Sequence, residues 1–265
     1  MTTIRTLASG SSGNAALLSC GETHLLIDMG ISCRRVCKAL AELGLSPDSL
    51  SGILITHEHG DHISGLATYI KKYRTPIYCS PAVSRQLCYR LAGAEPLLRP
   101  MALGEAAAFG EVEALILPTS HDCQESAAWR FDTPEGRVGY LTDTGYIVEE
   151  TGERLLGADL LVLESNHDVD MLRAGPYPYP LKKRILGEFG HLSNAAAAEY
   201  AVKSVRAGTR RILLAHLSHE NNTPGKALET VGGALAEAGL DVPLTAAPRD
   251  VMSEAYALEG AGCRG

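Results

Sequence analysis

Aromatic residues make up only 5% of this chain, with three Phe and one Trp. Cysteine is scattered rather than paired. Cys20, Cys33, Cys37, Cys79, Cys88, Cys123 and Cys263 are odd in number and form no CxxC, which argues against a disulfide framework and suits a reducing cytoplasm. Positive charge is also short. A net charge of −7 and a pI near 5.7 exclude a protein that coats nucleic acid by bulk charge, and leave room only for a local basic groove. No stretch approaches the roughly 18 apolar residues of a membrane span, and the opening MTTIRTLASGSSGN has no apolar signal core. The expectation is a soluble cytoplasmic protein with no membrane partner. The small-residue run Gly10-Ser11-Ser12-Gly13-Asn14 lacks both the Lys of a P-loop and the spacing of a dinucleotide fingerprint, and reads instead as a tight hairpin turn.

What is present is enough for a full core: 265 residues, 45% of them hydrophobic, with no long linker, low-complexity tract or internal repeat. That pattern predicts one domain spanning residues 1–265. Short β-rich runs are expected at Ile4–Ala8, Ala15–Ser19, Thr23–Ile27, Gly52–Ile55, Ile77–Cys79, Glu113–Leu117, Ala127–Asp132, Val138–Leu141, Leu160–Leu163 and Arg211–Ala215. Helices are expected at Ser32–Leu43, Ser64–Lys72, Pro81–Ala92, Asn194–Arg206 and Pro224–Ala238, with Asn194 as an N-cap and Gly239 as a stop. Polar clusters stand just past the strand ends, where layered sheets can pool side chains into one cleft.

The densest cluster is His57-Glu58-His59-Gly60-Asp61-His62, which follows the apolar run Gly52 to Ile55. Three imidazoles and a carboxylate in one turn call for a bridging cation. Imidazole and carboxylate suit zinc, and Gly60 lets the turn curl so that alternate side chains converge. His121, His191 and His216 lie in or beside later strand-end loops, whereas His24, His167 and His219 do not join them. Cys123, two positions after His121, reads as a bystander thiol.

This arrangement resembles the metallo-β-lactamase superfamily. Its HxHxDH motif stands as His57, His59, Asp61 and His62, and the later motifs follow in order as His121 in Thr119-Ser120-His121-Asp122, Asp143 in Leu141-Thr142-Asp143-Thr144-Gly145, and His216 in Ala215-His216-Leu217-Ser218. The resemblance implies an α/β fold, a four-layer αββα sandwich. It implies two divalent ions, zinc or manganese, with His57, His59 and His121 on one, Asp61, His62 and His216 on the other, and Asp143 between them. Asp28 in Leu26-Ile27-Asp28-Met29-Gly30 would orient a ligand histidine. A cation pair can lower the pKa of a shared water and hold a phosphodiester, so Asp61 counts among both the ligands and the catalytic residues. His59, where a carboxylate would mark the superfamily's electron-transfer branch, favours hydrolysis.

Within the superfamily the chain is most similar to the YycJ/WalJ-like nuclease branch. The residues that carry this are Ala8 to Asn14, Glu164-Ser165-Asn166-His167-Asp168, Gly175-Pro176-Tyr177-Pro178, Gly190-His191-Leu192-Ser193-Asn194 and Leu217 to Asn222. The branch implies a DNA substrate attacked from a 5′ end. Similarity to the related tRNA-processing and RNA-degrading members, in which a histidine at this place contacts the scissile phosphate, implies that His191 donates a proton to the leaving 3′-oxygen, with phosphate favoured by the helix that follows. Glu164 could support His191 or be a buried structural carboxylate. Ser12 and Asn14 are candidate contacts to substrate oxygens. Lys182 and Lys183, beside Arg184 and the aromatic prolyl stretch Tyr177 to Pro180, are candidates for backbone phosphates and a stacked base. The intervals from His121 to Asp143 and from Asp143 to His216 are too short for the extra arm or domain of larger relatives. A hydrolase of a small ester, thioester or cyclic phosphodiester remains an alternative, as does a regulatory protein that keeps the site for folding.

Overall fold

In the computed structural model, which describes residues 1–258, the apolar runs of the sequence become two layers of strands. Cys263 lies outside the described residues. The first half of the chain forms β1 (Thr2–Ala8), β2 (Ala15–Cys20), β3 (Thr23–Ile27), α1 (Cys33–Glu42), β4 (Gly52–Leu54), α2 (Gly60–Ile63), α3 (Leu66–Tyr69), β5 (Ile77–Cys79), α4 (Pro81–Arg90) and β6 (Leu98–Pro100). The second half forms β7 (Ala106–Phe109), β8 (Val112–Pro118), β9 (Ala127–Thr133), β10 (Gly136–Leu141), α5 (Glu149–Leu155), β11 (Leu160–Glu164), α6 (Val169–Ala174), α7 (Tyr179–Ile185), α8 (Asn194–Arg206), β12 (Arg211–Ala215), α9 (Pro224–Glu237) and β13 (Leu244–Ala246). A short β14 (Tyr256–Ala257) then returns to the edge of the first sheet, beside β1.

One sheet has the order β14-β1-β2-β3-β4-β5-β6 and the other β13-β12-β11-β10-β9-β8-β7. Each begins as antiparallel ribbons and turns parallel at one strand. That strand is β3 in the first sheet, antiparallel to β2 and parallel to β4, and β10 in the second, antiparallel to β9 and parallel to β11. The sequence carries no repeat, yet the two halves share this plan. It places the ends of the parallel strands along a single rim, where loops can converge.

The period-two alternation of the strands sorts their side chains into three cores. Ile4, Leu18, Leu25, Ile27, Trp129, Phe131, Leu160, Val162 and Leu213 fill the space between the sheets. Leu17, Leu26, Ile53 and Ile77 face outward under Val36 and Leu40 of α1, Tyr69 of α3 and Leu87 of α4. Leu161, Leu163, Ile212 and Leu214 face the other way, under Ala197 and Ala201 of α8 and Val231 and Leu235 of α9. The architecture is therefore the four-layer αββα sandwich. Because both faces are covered, β11 is buried at all five positions, which is why its run reads as continuously apolar.

Two expectations need correction. The helix expected over Ser64–Lys72 is a single turn, α3 (Leu66–Tyr69), and a separate turn, α2, ends just before it at Ile63. Gly65 stands between them and packs so close to the chain around Met29 that an added Cβ would lie 2.2 Å from the Ile31 carbonyl. Ser193, not Asn194, caps α8: its hydroxyl accepts from the Ala196 amide, while the Asn194 side chain is buried on Ser165 and Asn222. The prolyl stretch from Tyr177 leads into a helix not expected from the sequence. Pro178 caps α7 and Pro180 sits in its first turn, where a missing N–H costs nothing. The short edge strands β6, β7, β13 and β14 and the helices α5 to α7 have no clear periodic signal in the sequence.

Candidate metal centre

Three loops lock together by backbone hydrogen bonds before any side chain is considered. The Asn14 amide donates to the Asp61 carbonyl at 2.8 Å, the Gly30 amide to the Asn14 carbonyl at 2.7 Å, and the Met29 amide to the His62 carbonyl at 2.8 Å. Gly30 is required here. A Cβ at this position would lie 1.6 Å from the Asp61 carbonyl oxygen. The three non-glycine residues with positive φ among the described residues are Asp28, Asp143 and His216, at φ 60, 57 and 56, each just past the end of a strand. Such backbone costs about 1 kcal/mol or more per residue, and here it turns three polar side chains toward one point.

Four of the five candidate ligand histidines, all but His59, are oriented through one ring nitrogen and present the other. His62 Nδ1 lies 2.8 Å from Asp28 Oδ2, and Asp28 is fixed in turn by the Thr56 amide and hydroxyl. His121 Nδ1 donates to the Gly190 carbonyl at 2.9 Å, and His216 Nδ1 to Glu164 Oε1 at 2.8 Å. His57 Nδ1 is 3.0 Å from the Thr56 hydroxyl. With Nδ1 engaged, Nε2 is the free lone pair. Ligand atoms of His57, His59 and His121 lie within 4.8 Å of one another, as do those of Asp61, His62 and His216. Asp143 belongs to both neighbourhoods: its Oδ2 is 3.4 Å from His62 Nε2, and its Oδ1 is 3.9 Å from His121 Nε2.

These groups fit divalent cations on physical grounds. His57 Nε2, His216 Nε2 and Asp143 Oδ2 are buried and have no hydrogen-bond partner. Leaving each unpaired costs about 1–3 kcal/mol, a penalty that coordination would remove. Charge points the same way. Burial lowers the pKa of His216, but Asp143, Asp61 and Glu164 outweigh it and raise it to about 10. Burial likewise works against His62, and Asp143 and Asp28 hold it well above the ordinary imidazole value. Burial opposes ionisation of Asp61 and Asp143 too, yet the neighbouring imidazoles keep both carboxyls below their usual range. Without a cation the cluster must hold protons in its place.

Glu164 is fully buried. Its Oε1 accepts from both His191 and His216 at 2.8 Å, and its Oε2 accepts from the Thr144 and Leu192 amides at 2.9 and 3.1 Å. Burial disfavours its charge, but His191 and His216 hold the carboxyl well below its usual range. His191 is thereby fixed through Nδ1, with its ring centroid 4.9 Å from that of His121 and 5.2 Å from that of His216. It borders a cavity of about 160 Å³ that Ser11, Tyr177, Leu181, Arg184 and Phe189 also line.

The other candidate residues fall elsewhere. Asn14 is buried, and its side-chain amide lies 3.1 Å from His62 Nε2 and 3.4 Å from Asp61 Oδ2, so it touches the cluster rather than open space. Ser12 is exposed at the hairpin tip, whereas its neighbour Ser11 lines the cavity. Lys182 Nζ donates to the Arg173 carbonyl at 2.7 Å, and Lys183 is exposed. Sequence reasoning missed Asp122, whose Oδ1 is 3.3 Å from His121 Nε2 and whose other oxygen pairs with Arg184. Its adjacency to His121 was the only signal. Burial pushes the Cys123 thiol up to about 12 and it joins no ligand group among the described residues, as befits a bystander. His24 and His219 bond locally, to Ser19 and Glu220.

An αββα sandwich with converging histidines and carboxylates at its rim defines a metal-dependent hydrolase. Residues 23–217 match the family described as a beta-lactamase superfamily domain, and the chain belongs to it. It is 36% identical over 241 residues to exodeoxyribonuclease WalJ of Streptococcus pneumoniae, covering 89% of each chain. It is 37% identical over 238 residues to exodeoxyribonuclease YycJ of Bacillus anthracis, covering 89% of this chain and 90% of that protein. The fold also matches zinc-bound PqqB of Methylobacterium extorquens, with a TM-score of 0.71 over 95% of this chain and 99% of that one, at 16% identity.

Proposed function

We propose that this chain is a dinuclear metal-dependent phosphodiesterase that acts as a DNA exonuclease from a 5′ end. In this reading His57, His59 and His121 would hold one ion, Asp61, His62 and His216 would hold the second, and Asp143, which lies near both groups, would serve the two. Zinc and manganese both suit the nitrogen and oxygen donors. When bound, the ions supply an activated water and positive charge against the phosphoryl oxygens. Every other part falls to the chain. Asp28 and Glu164 fix His62 and His216. His191, held by Glu164 through Nδ1, offers Nε2 as the proton donor to a leaving 3′-oxygen.

The observation that carries this reading is the pairing of His191 with Glu164 beside the candidate metal cluster. A bare hydrolytic site does not need a further positioned imidazole facing the cavity that His121 also lines. The names of the relatives supply the nucleic-acid substrate. A cytoplasmic setting agrees with the free cysteines of the described residues, and no helix among those residues is long and apolar enough to cross a membrane.

The test is digestion of end-labelled oligonucleotides, with and without a 5′-phosphate, by protein loaded with zinc or manganese. Stepwise release from the 5′ end, abolished by Asp61→Ala, is the expected result. Intact single- and double-stranded substrates, with Asp61→Ala behaving as wild type, would sink the proposal.

A further inference from the structure

Within the basic run Lys182-Lys183-Arg184, only Arg184 reaches the candidate metal centre. Its guanidinium pairs with Asp122 Oδ2. The other oxygen of Asp122 lies 3.3 Å from His121 Nε2 and 3.6 Å from His59 Nε2. One carboxylate thus stands between the three-histidine pocket and an arginine on α7. The same arginine borders the cavity beside His191, together with Tyr177 and Phe189.

That placement is the one a substrate anion needs. A phosphodiester presents two non-bridging oxygens that can span a cation site and a guanidinium, and arginine matches such oxygens in a planar fork that lysine lacks. The Asp122 and Arg184 side chains are 29% and 54% exposed, so their pair is screened by solvent and readily exchanged. Arg184 also stands apart from Lys182, whose ammonium is engaged on the Arg173 carbonyl.

We propose that Arg184 is the specificity-determining cation for the substrate phosphate, and that Asp122 holds its place until a phosphate displaces it. This rests on the phosphodiesterase reading. Asp122 is then a competitor with substrate, and the two residues have opposite effects on binding although they form one ion pair. A purely structural pair, bolting α7 to the metal loop, would make both substitutions harmful in the same direction.

The experiment uses the full chain loaded with manganese and a phosphorothioate-linked oligonucleotide that resists cleavage, with binding followed by fluorescence anisotropy across salt concentrations. Arg184→Ala is expected to weaken binding about tenfold and to reduce the slope of log affinity against log salt by roughly 0.7–0.9. Arg184→Lys keeps the charge and should recover the slope but only part of the affinity. Asp122→Asn is expected to tighten binding. Metal content and melting temperature are measured on each variant, so that a folding or loading defect is seen directly. Equal weakening by Arg184→Ala and Asp122→Asn, or an Arg184→Ala variant that keeps both affinity and slope, overturns the proposal while wild-type binding leaves the phosphodiesterase reading standing. If the wild-type protein binds no oligonucleotide, the phosphodiesterase reading fails and this one with it.

Discussion

Glu164 Oε1 accepts a hydrogen bond from His191 Nδ1 at 2.8 Å, and that same oxygen accepts from His216 Nδ1 at the same distance. One buried carboxylate therefore serves both a candidate metal ligand and the candidate proton donor. Glu164→Gln keeps the shape but removes the charge. It is expected to lower kcat and metal affinity together, each by about 10–100-fold, as read by steady-state kinetics and by metal content after dialysis. A variant that loses only one of the two would show that Glu164 does not couple them.

His191 itself should separate from the metal. His191→Ala is expected to reduce kcat by about 10²–10⁴-fold while leaving metal content unchanged, because its role is proton transfer rather than ligation. Elemental analysis beside kinetics decides it. Metal loss equal to that of Asp61→Ala would make His191 a ligand instead.

Asp28 touches no candidate ligand atom of the cations, yet fixes His62 from beneath. Asp28→Asn is expected to weaken metal binding by about 10–100-fold. Competition with a chelator would measure it. Burial raises the pKa of Asp28, only partly offset by His62 and Thr56, so its charge depends on those two partners being in place.

Stability and metal binding should respond oppositely to pH. His216 stands at about 10 without a cation, above the roughly 6.5 of an unfolded histidine. Its contribution to stability is whole below about pH 6.5 and is lost as pH rises through about 10. The metal-free protein should therefore unfold at progressively lower urea concentration over that window. Binding of a cation to Nε2 requires the same proton to leave, so metal affinity should rise across the window. Urea midpoints in chelator at about pH 6.5 and pH 9, set against metal titrations, test both signs.

Gly30→Ala tests the backbone lock. Its Cβ would meet the Asp61 carbonyl at 1.6 Å, so the loops must part. A loss of at least about 2–3 kcal/mol is expected, with metal retention falling alongside. An alanine variant with wild-type melting and metal content would refute the lock.

Much of the fold is legible in the sequence because strand and helix periodicity are local properties of the chain. Leu160 to Leu163 reads as a buried strand without its neighbours, and HxHxDH reads as a metal turn from spacing alone. What escaped notice was either short or cooperative. The edge strand Ala106–Phe109 is nearly all alanine and takes its conformation from pairing with Val112–Pro118. The helix from Tyr179 was hidden by two prolines that look like breakers until one is placed at its N-cap and the other in its first turn.

The sequence by itself determined most strands and helices, the candidate ligand types and their order, since hydrophobic period, turn residues and motif spacing act over a few residues, and the fold class followed from the family resemblance those motifs carry. Tertiary structure decided which atom each residue presents. Gly190 reaches His121 across 69 residues to set its tautomer, Glu164 serves two histidines from separate loops, and Arg184, not Lys182 or Lys183, meets Asp122 at the metal loop. Such partnerships depend on how two sheets and their covering helices register against one another, and no local pattern in the chain encodes that distance.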